Sequence, residues 1–226
     1  MNDTLPAFDI GDHFNVLTRS FSQNITLFAV IAAIAAVATV ASNMVFGVES
    51  FLSGIIGLLI YVIAGPVAMM VAFDANAGRE IRTQDYFNRA ISMFFPILLL
   101  SIVQGLLVGL GFMLLIFPGL YIAAMLYVIV PAIVIEKAGF SGFNRSLKLT
   151  EGYRMSILLV VLAVFLICLV MSLLGLAIQT ALSVIPFVGE GLNAFINTFV
   201  YLIPAVSSAL VYWRIVERKE GTSLTD

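Results

Sequence analysis

Between Arg89 and Glu136 the chain runs for 46 residues, Ala90 to Ile135, without one charged side chain. A bilayer core of about 30 Å is crossed by roughly 20 apolar residues at 1.5 Å each. This run is therefore too long for one crossing and suits two, with the break at Phe117-Pro118-Gly119 read as a tight hairpin. The interval between Arg19 and Glu49 places a span at 25–46, and Ser50 to Phe73 forms a second. Met155 to Gly189 holds 35 uncharged residues. They give one span ending near residue 180, then a remainder with Gln179, Thr180 and Ser183 that closes on Ile185-Pro186-Phe187-Val188-Gly189. Gly191 to Trp213 is the sixth span. Composition agrees: 62% hydrophobic against 11% charged excludes a water-soluble domain. A net charge of -2 lacks the basic excess of a nucleic-acid binder. A lone Cys168 precludes an internal disulfide, and a lone His13 leaves no Cys/His set with metal-ligand spacing.

Six spans put both termini on one side, with the connections 74–89 and 136–154, and place the tips near 47–50, 117–119 and 185–190 opposite. All eleven Lys/Arg residues fall on the first side, while the second carries only Glu49 and Glu190. Short loops rich in Lys/Arg stay inside. The charged side is thus expected to be cytoplasmic. Asp3, Asp9 and Asp12 precede the first apolar run with no basic region before it, so the first span is expected to be an uncleaved anchor.

Each outgoing span follows a short segment containing Phe-Asn: Phe14-Asn15, Phe87-Asn88-Arg89 and Phe143-Asn144-Arg145. Apolar residues there keep helical spacing, as Phe14/Leu17/Phe21, Phe87/Ala90/Ile91/Phe94 and, more weakly, Phe143/Leu147/Thr150. Such segments suit the headgroup plane. Each returning span carries a proline, Pro66, Pro131 or Pro204, which predicts a kink. The expected fold is an all-α integral membrane protein of six transmembrane helices, arranged as three hairpin units that are each led by a short interfacial amphipathic helix. It forms a single membrane domain over 1–226, with repeat units at about 11–73, 83–135 and 141–213 and a short cytoplasmic tail at 214–226. Parallel repeats of this kind are related by an axis along the membrane normal.

Ser101, Gly105 and Gly109 form a smooth stripe on the third span. Internal helix packing is the expected use and self-association the alternative. Gln104 and Gln179 each need a hydrogen-bond partner inside lipid. Asn193 and Asn197 share a face of the last span, with Glu190 ahead of them. They either pack against neighbouring helices or, with Gln179, border a polar cavity. Cys168 reads as a small apolar residue, and His13 as interfacial. No Asp, Glu, Lys, Arg or His is placed within a span, which disfavours proton- or ion-coupled transport. Nor does a nucleophile with an adjacent base stand in the core. No catalytic residue, metal site or cofactor is therefore expected.

Polar chemistry gathers in the cytoplasmic connections. Ser141 to Arg154 reads as an amphipathic helix with Ser141 at the N-cap, Arg145, Lys148 and Glu151 on the polar side and Gly152 at the exit. Glu136 can pair with Arg145, and Asp74 with Arg89, docking each leading helix on its hairpin. The functional alternative is that Arg145, Lys148 and Arg154 hold anionic lipid headgroups.

Phe117-Pro118-Gly119-Leu120-Tyr121, Pro131, Glu136 and the run Asn144-Arg145-Ser146-Leu147-Lys148-Leu149-Thr150-Glu151-Gly152-Tyr153 resemble the pattern of the enteric YciC-type inner-membrane proteins. The membrane domain attached to some bacterial glycerophosphoryl diester phosphodiesterases is similar. The resemblance covers about 117–153, with Phe143-Asn144 in place of the small and aliphatic residues usual before Arg-Ser. It implies a multispanning inner-membrane protein concerned with envelope lipids, with membrane lipids as partners, and it does not import phosphodiesterase activity. The alternatives are an uncoupled channel or carrier for a small or amphiphilic solute, and a homo-oligomer or membrane subunit of a larger complex.

Overall fold

The uncharged stretches fold as helices in a computed structural model that describes residues 9–47, 50–182 and 188–221. Glu49 of the first tip, Ser183 and Ile185-Pro186-Phe187 of the third, and Asp3 lie outside the described residues. In chain order the helices are α1 (Ile10–Gln23), α2 (Ile25–Phe46), α3 (Phe51–Asn76), α4 (Thr83–Ser92), α5 (Phe94–Leu114), α6 (Ile116–Leu126), α7 (Ile129–Ile135), α8 (Gly142–Thr150), α9 (Arg154–Ala181) and α10 (Val188–Glu220). No strand occurs among the described residues. α2, α3, α5, α6 with α7, α9 and α10 make six segments long and apolar enough to cross a bilayer, and the chain is a multispanning helical membrane protein.

α10 is the central helix, packed against α9, α3 and α2 along its length and against α1, α7 and α8 near its C-terminal end. In lipid, apolar surface alone does not drive helices together, so close packing falls to small residues. Ala205, Ser207, Ser208 and Ala209 of α10, Ala64, Gly65, Ala68 and Ala72 of α3, and Ala32, Ala35 and Ala36 of α2 are all buried. Within their most apolar stretches α10 and α3 are 56% and 50% buried, whereas those of α5 and α9 are only 17% and 22% buried and leave most of their surface to lipid.

The prolines act through the carbonyl four residues earlier, which each deprives of its helical donor. Pro131 frees the Tyr127 carbonyl, and the helix breaks there, between α6 and α7. Pro204 frees the Val200 carbonyl, which accepts the Cys168 thiol at 3.7 Å, and α10 continues unbroken. α3 likewise runs through Pro66. Cys168 thus contributes a hydrogen bond that a purely apolar reading omits.

Three boundaries differ from the sequence reading. The α5–α6 turn falls at Leu115, in extended backbone, and not at Phe117-Pro118-Gly119. Pro118 instead sits in the first turn of α6, where a missing N–H costs nothing. Residues 214–220 are not a tail; they continue α10, and Arg214 is buried. Ser141 is not a side-chain cap: its hydroxyl donates to the Ala138 carbonyl at 2.7 Å, across a short 3₁₀ turn at Gly139–Ser141, and α8 starts uncapped at Gly142.

The short helices α1, α4 and α8 join the long ones at the end of the bundle that carries the basic residues. α1 reaches from α9, where Ile10 packs, to α3, where Asn76 Nδ2 donates to Ser20 Oγ at 3.3 Å. Each short helix buries one member of its expected stripe, Leu17, Ala90 or Thr150, together with residues beside it: His13 and Ser20, Tyr86, and Gly142, Ser146 and Leu149. Phe14 and Phe143 are half-buried, and Phe87 and Ile91 are exposed.

Candidate functional site

The densest polar cluster ties the ends of α7, α8 and α10 together. Glu136, just past α7, accepts from Arg145 Nη2 at 2.6 Å and from Nε at 2.9 Å. Arg145 Nη1 lies 2.6 Å from Glu220 Oε1. The Tyr212 hydroxyl donates to Glu136 as well. The hydrogen bonds to Glu220 and then Glu136 raise the Arg145 pKa above its ordinary value. Lys219 Nζ donates to the carbonyls of Lys148 and Glu151 at 2.9 and 2.6 Å, satisfying the C-terminal end of α8.

Arg145, Lys148 and Arg154 do not share one solvent-facing surface. Arg145 is bound by two carboxylates, and Arg154 turns to Tyr121, donating to its hydroxyl at 3.0 Å with the guanidinium 5.7 Å from the ring centre. Lys148 is exposed. Asp74 and Arg89 are not brought together. Asp74 accepts from the Tyr86 hydroxyl at 2.6 Å and lies 3.8 Å from Arg79, while Arg89 donates to the Val134 carbonyl at 3.4 Å. Burial, and then that bond to Asp74, raise the Tyr86 pKa. Arg79 follows α3 directly, whereas Arg89, one turn beyond Tyr86 on α4, spends its guanidinium on the Val134 carbonyl of α7.

The stripe on α5 is not used for packing inside the bundle. A Cβ built at Gly105 or Gly109 meets nothing within 4 Å. The close approach of α5 comes instead at Gly111, whose Cβ would lie 2.8 Å from Gly119 Cα, and a Cβ on Gly119 would lie 2.6 Å from the Phe112 ring. Ser101 lines a cavity of about 600 Å³ between α3 and α5, with Gly54, Gly57 and Tyr61 opposite and Tyr201 at its base. A second cavity, of about 480 Å³, lies between α2 and α3, where α4 closes one end. Both are walled mainly by apolar side chains.

At the opposite end of the bundle, Asn197 Nδ2 donates to Asn193 Oδ1 at 2.7 Å. Asn193 packs near Gly175 of α9, and the Gln179 carbonyl, one turn further, lies 3.2 Å from the Cβ position of Gly189. Asn43 Nδ2 donates to Glu190 at 3.2 Å. Asn193 thus sits where α9 and α10 approach closely, and none of Gln179, Asn193 and Asn197 lines either cavity.

The buried contact missed in the sequence is His13. Its side chain is fully buried, and Nε2 lies 2.9 Å from Ser207 Oγ of α10. Burial first, then Arg214, push its pKa down to about 4, opposed by Asp12. Arg214 in turn donates to Asp12 at 2.6 Å. The available signal was the spacing of His13, Leu17 and Ser20, a polar-edged stripe beside the aromatic one. Among the described residues no group of three or more His, Cys, Asp or Glu is placed to hold a metal ion. No protein-family model, curated protein or solved structure matches this chain.

Proposed function

We propose that this protein organises or maintains lipid in a bacterial inner membrane, with both termini cytoplasmic and no catalytic chemistry of its own, as the resemblance to YciC-type proteins implies. The observation that carries this reading is the pair of apolar cavities on the flanks of the bundle. Both are walled by segments that cross the bilayer, where acyl chains are the solvent. The half-exposed aromatic stripes of α1, α4 and α8, at the basic end, add surface suited to the headgroup boundary. Leading helices and hairpins then form three copies of one unit. A channel or carrier would need a polar path, whereas Asn197 donates to Asn193 and neither lines a cavity.

A second reading, self-association or membership of a membrane complex, draws support from the uncovered small face at Gly105 and Gly109. Reconstitution into phosphatidylethanolamine/phosphatidylglycerol vesicles separates the possibilities. The lipid reading expects altered acyl-chain order, reported by a polarity-sensitive membrane dye, with solute flux equal to empty vesicles. Solute flux above that background with unchanged lipid order overturns it.

A further inference from the structure

Two side chains that line the α3–α5 cavity deep in the bilayer carry hydroxyls with nothing to bond. Tyr61 of α3 and Ser101 of α5 both line this cavity, and among the described residues neither hydroxyl has a hydrogen-bond partner. Tyr61 lies ten residue rises from Phe51, about 15 Å along α3, and Ser101 seven rises from Phe94, about 10 Å along α5. In a hydrocarbon core of about 30 Å both depths lie well inside, where acyl chains offer no acceptor. An unpaired hydroxyl there costs free energy. The cavity is therefore best matched by an occupant with a polar atom of its own at this depth.

The wall beside these hydroxyls is held in place. Tyr201 of α10 packs against α3 because Gly65 has no side chain: a Cβ there would lie 3.1 Å from the Tyr201 hydroxyl oxygen. That hydroxyl donates to the Tyr61 carbonyl at 3.3 Å, and the two rings meet with centroids 4.7 Å apart. Tyr201 thus spends its hydroxyl on the fold and offers a fixed aromatic surface. Val62 and Pro66 line the same wall, and the proline leaves the Val62 carbonyl without its helical donor. Toward the start of α3, a Cβ on Gly54 or Gly57 meets nothing within 4 Å, which leaves room for a slender apolar tail. The volume, about 600 Å³, falls within the roughly 300–1,000 Å³ of small-molecule sites.

What fits is a molecule apolar overall, with an uncharged carbonyl on a flat ring, that dissolves in the bilayer interior. A phospholipid or fatty acid keeps its charged group at the surface, because burying charge is costly, and presents only hydrocarbon here. We propose that the α3–α5 cavity binds a membrane-dissolved isoprenoid quinone. Its ring lies against the Tyr61 and Tyr201 pair, its carbonyls accept from the hydroxyls of Tyr61 and Ser101, and its tail runs along Gly57 and Gly54. This goes beyond the lipid reading above and does not depend on it, since vesicle lipid order can respond with this cavity empty.

The test uses the full chain in mild detergent, with decylubiquinone as the probe. Decylbenzene, which keeps a ring and the tail without the carbonyls, is the matched control. Retention is read by native mass spectrometry, and an azido derivative of the quinone maps the site by photolabelling. The wild type should retain one decylubiquinone, about tenfold more than decylbenzene, with the label in α3, α5 or α10. Tyr61→Phe combined with Ser101→Ala should lower retention about tenfold. Its unfolding midpoint without quinone should stay that of the wild type, because these hydroxyls bond nothing in the fold. Gly57→Trp, which enters open space, should abolish retention, whereas Leu99→Trp on the exposed face of α5 should not. Should Gly57→Trp fail to fold, the double variant decides. Equal retention of decylbenzene marks an apolar groove without the carbonyl contacts, and displacement of the quinone by palmitoyl-oleoyl phosphatidylglycerol marks an acyl-chain site. Either result, no retained quinone, full retention by the double variant, or label confined to other helices overturns the proposal.

Discussion

His13 and Ser207 meet at 2.9 Å across 194 positions of sequence, and this contact anchors α1 on the central helix. With the imidazole pKa lowered from 6.5 to about 4, the folded state prefers the neutral ring while the unfolded chain binds a proton more readily. Stability is therefore fully present above about pH 6.5 and falls as pH drops toward 4. The shift corresponds to about 3 kcal/mol in full and about 2 kcal/mol by pH 5. Thermal unfolding in detergent should show the wild type losing midpoint temperature between pH 7 and pH 5, with His13→Gln flatter over that window. Parallel profiles would mean that carboxylates such as Asp12 dominate the acid response.

Arg145 joins α8 to both α7 and α10, so its loss takes the guanidinium from two carboxylates, of which Glu136 keeps the Tyr212 hydroxyl. The Arg145 side chain is 27% exposed, which moderates the cost. Arg145→Gln should destabilise the protein by about 1–2 kcal/mol. Arg154→Gln loses the Tyr121 contact, worth about 0.5–1 kcal/mol at a partly exposed site. Lys148→Gln should be nearly silent, because Lys219 bonds the backbone carbonyl of Lys148 and not its side chain. Unfolding followed by the fluorescence of the single tryptophan, Trp213, ranks the three. Equal effects would refute the cluster as a clamp.

Glycines on one helix should respond in opposite ways. Gly111→Ala places a methyl group 2.8 Å from Gly119 Cα, where only backbone can yield. A loss of about 1–3 kcal/mol is expected. Gly105→Ala and Gly109→Ala meet open space and should be neutral or slightly stabilising, since alanine favours helix over glycine by up to about 1 kcal/mol. Midpoints in detergent report the stability of one chain. If Gly109→Ala also lowers them, another surface covers that face.

The spans were legible because lipid forces their length and composition: the sequence places α2 at 25–46, and the helix runs Ile25–Phe46. The Glu136–Arg145 contact was also within reach, since both residues flank one short connection. Asp74 and Arg89 mislead because a sequence does not say which of several nearby groups takes the carboxylate: Tyr86 and Arg79 do, and Arg89 goes to the Val134 carbonyl. The stripe at Gly105 and Gly109 shows the same limit, for small residues permit close approach without naming the partner. The buried face of α1 was obscured because Phe14 and Phe21 dominate any hydrophobic count, although burial selects His13, Leu17 and Ser20. Neither flanking cavity has a sequence signature, because each depends on how far apart neighbouring helices splay.

Orientation remains the most consequential expectation, and the structure indicates where to probe it. Gly119 and Gly189 are natural tip positions by sequence, but a cysteine at Gly119 collides with Phe112 and one at Gly189 meets the Gln179 and Leu182 carbonyls. Met113, 84% exposed, and Val188, 50% exposed, report the same tips without that strain. In a Cys168→Ala background, cysteines at Ser50, Met113 and Val188 should react with an impermeant maleimide added to spheroplasts with sealed inner membranes. A cysteine at the exposed Ser141 should react only after permeabilisation. All eleven basic residues would then lie inside, as short-loop charge asymmetry requires. Ser141 labelling in sealed spheroplasts, with the three tips protected, would invert the molecule.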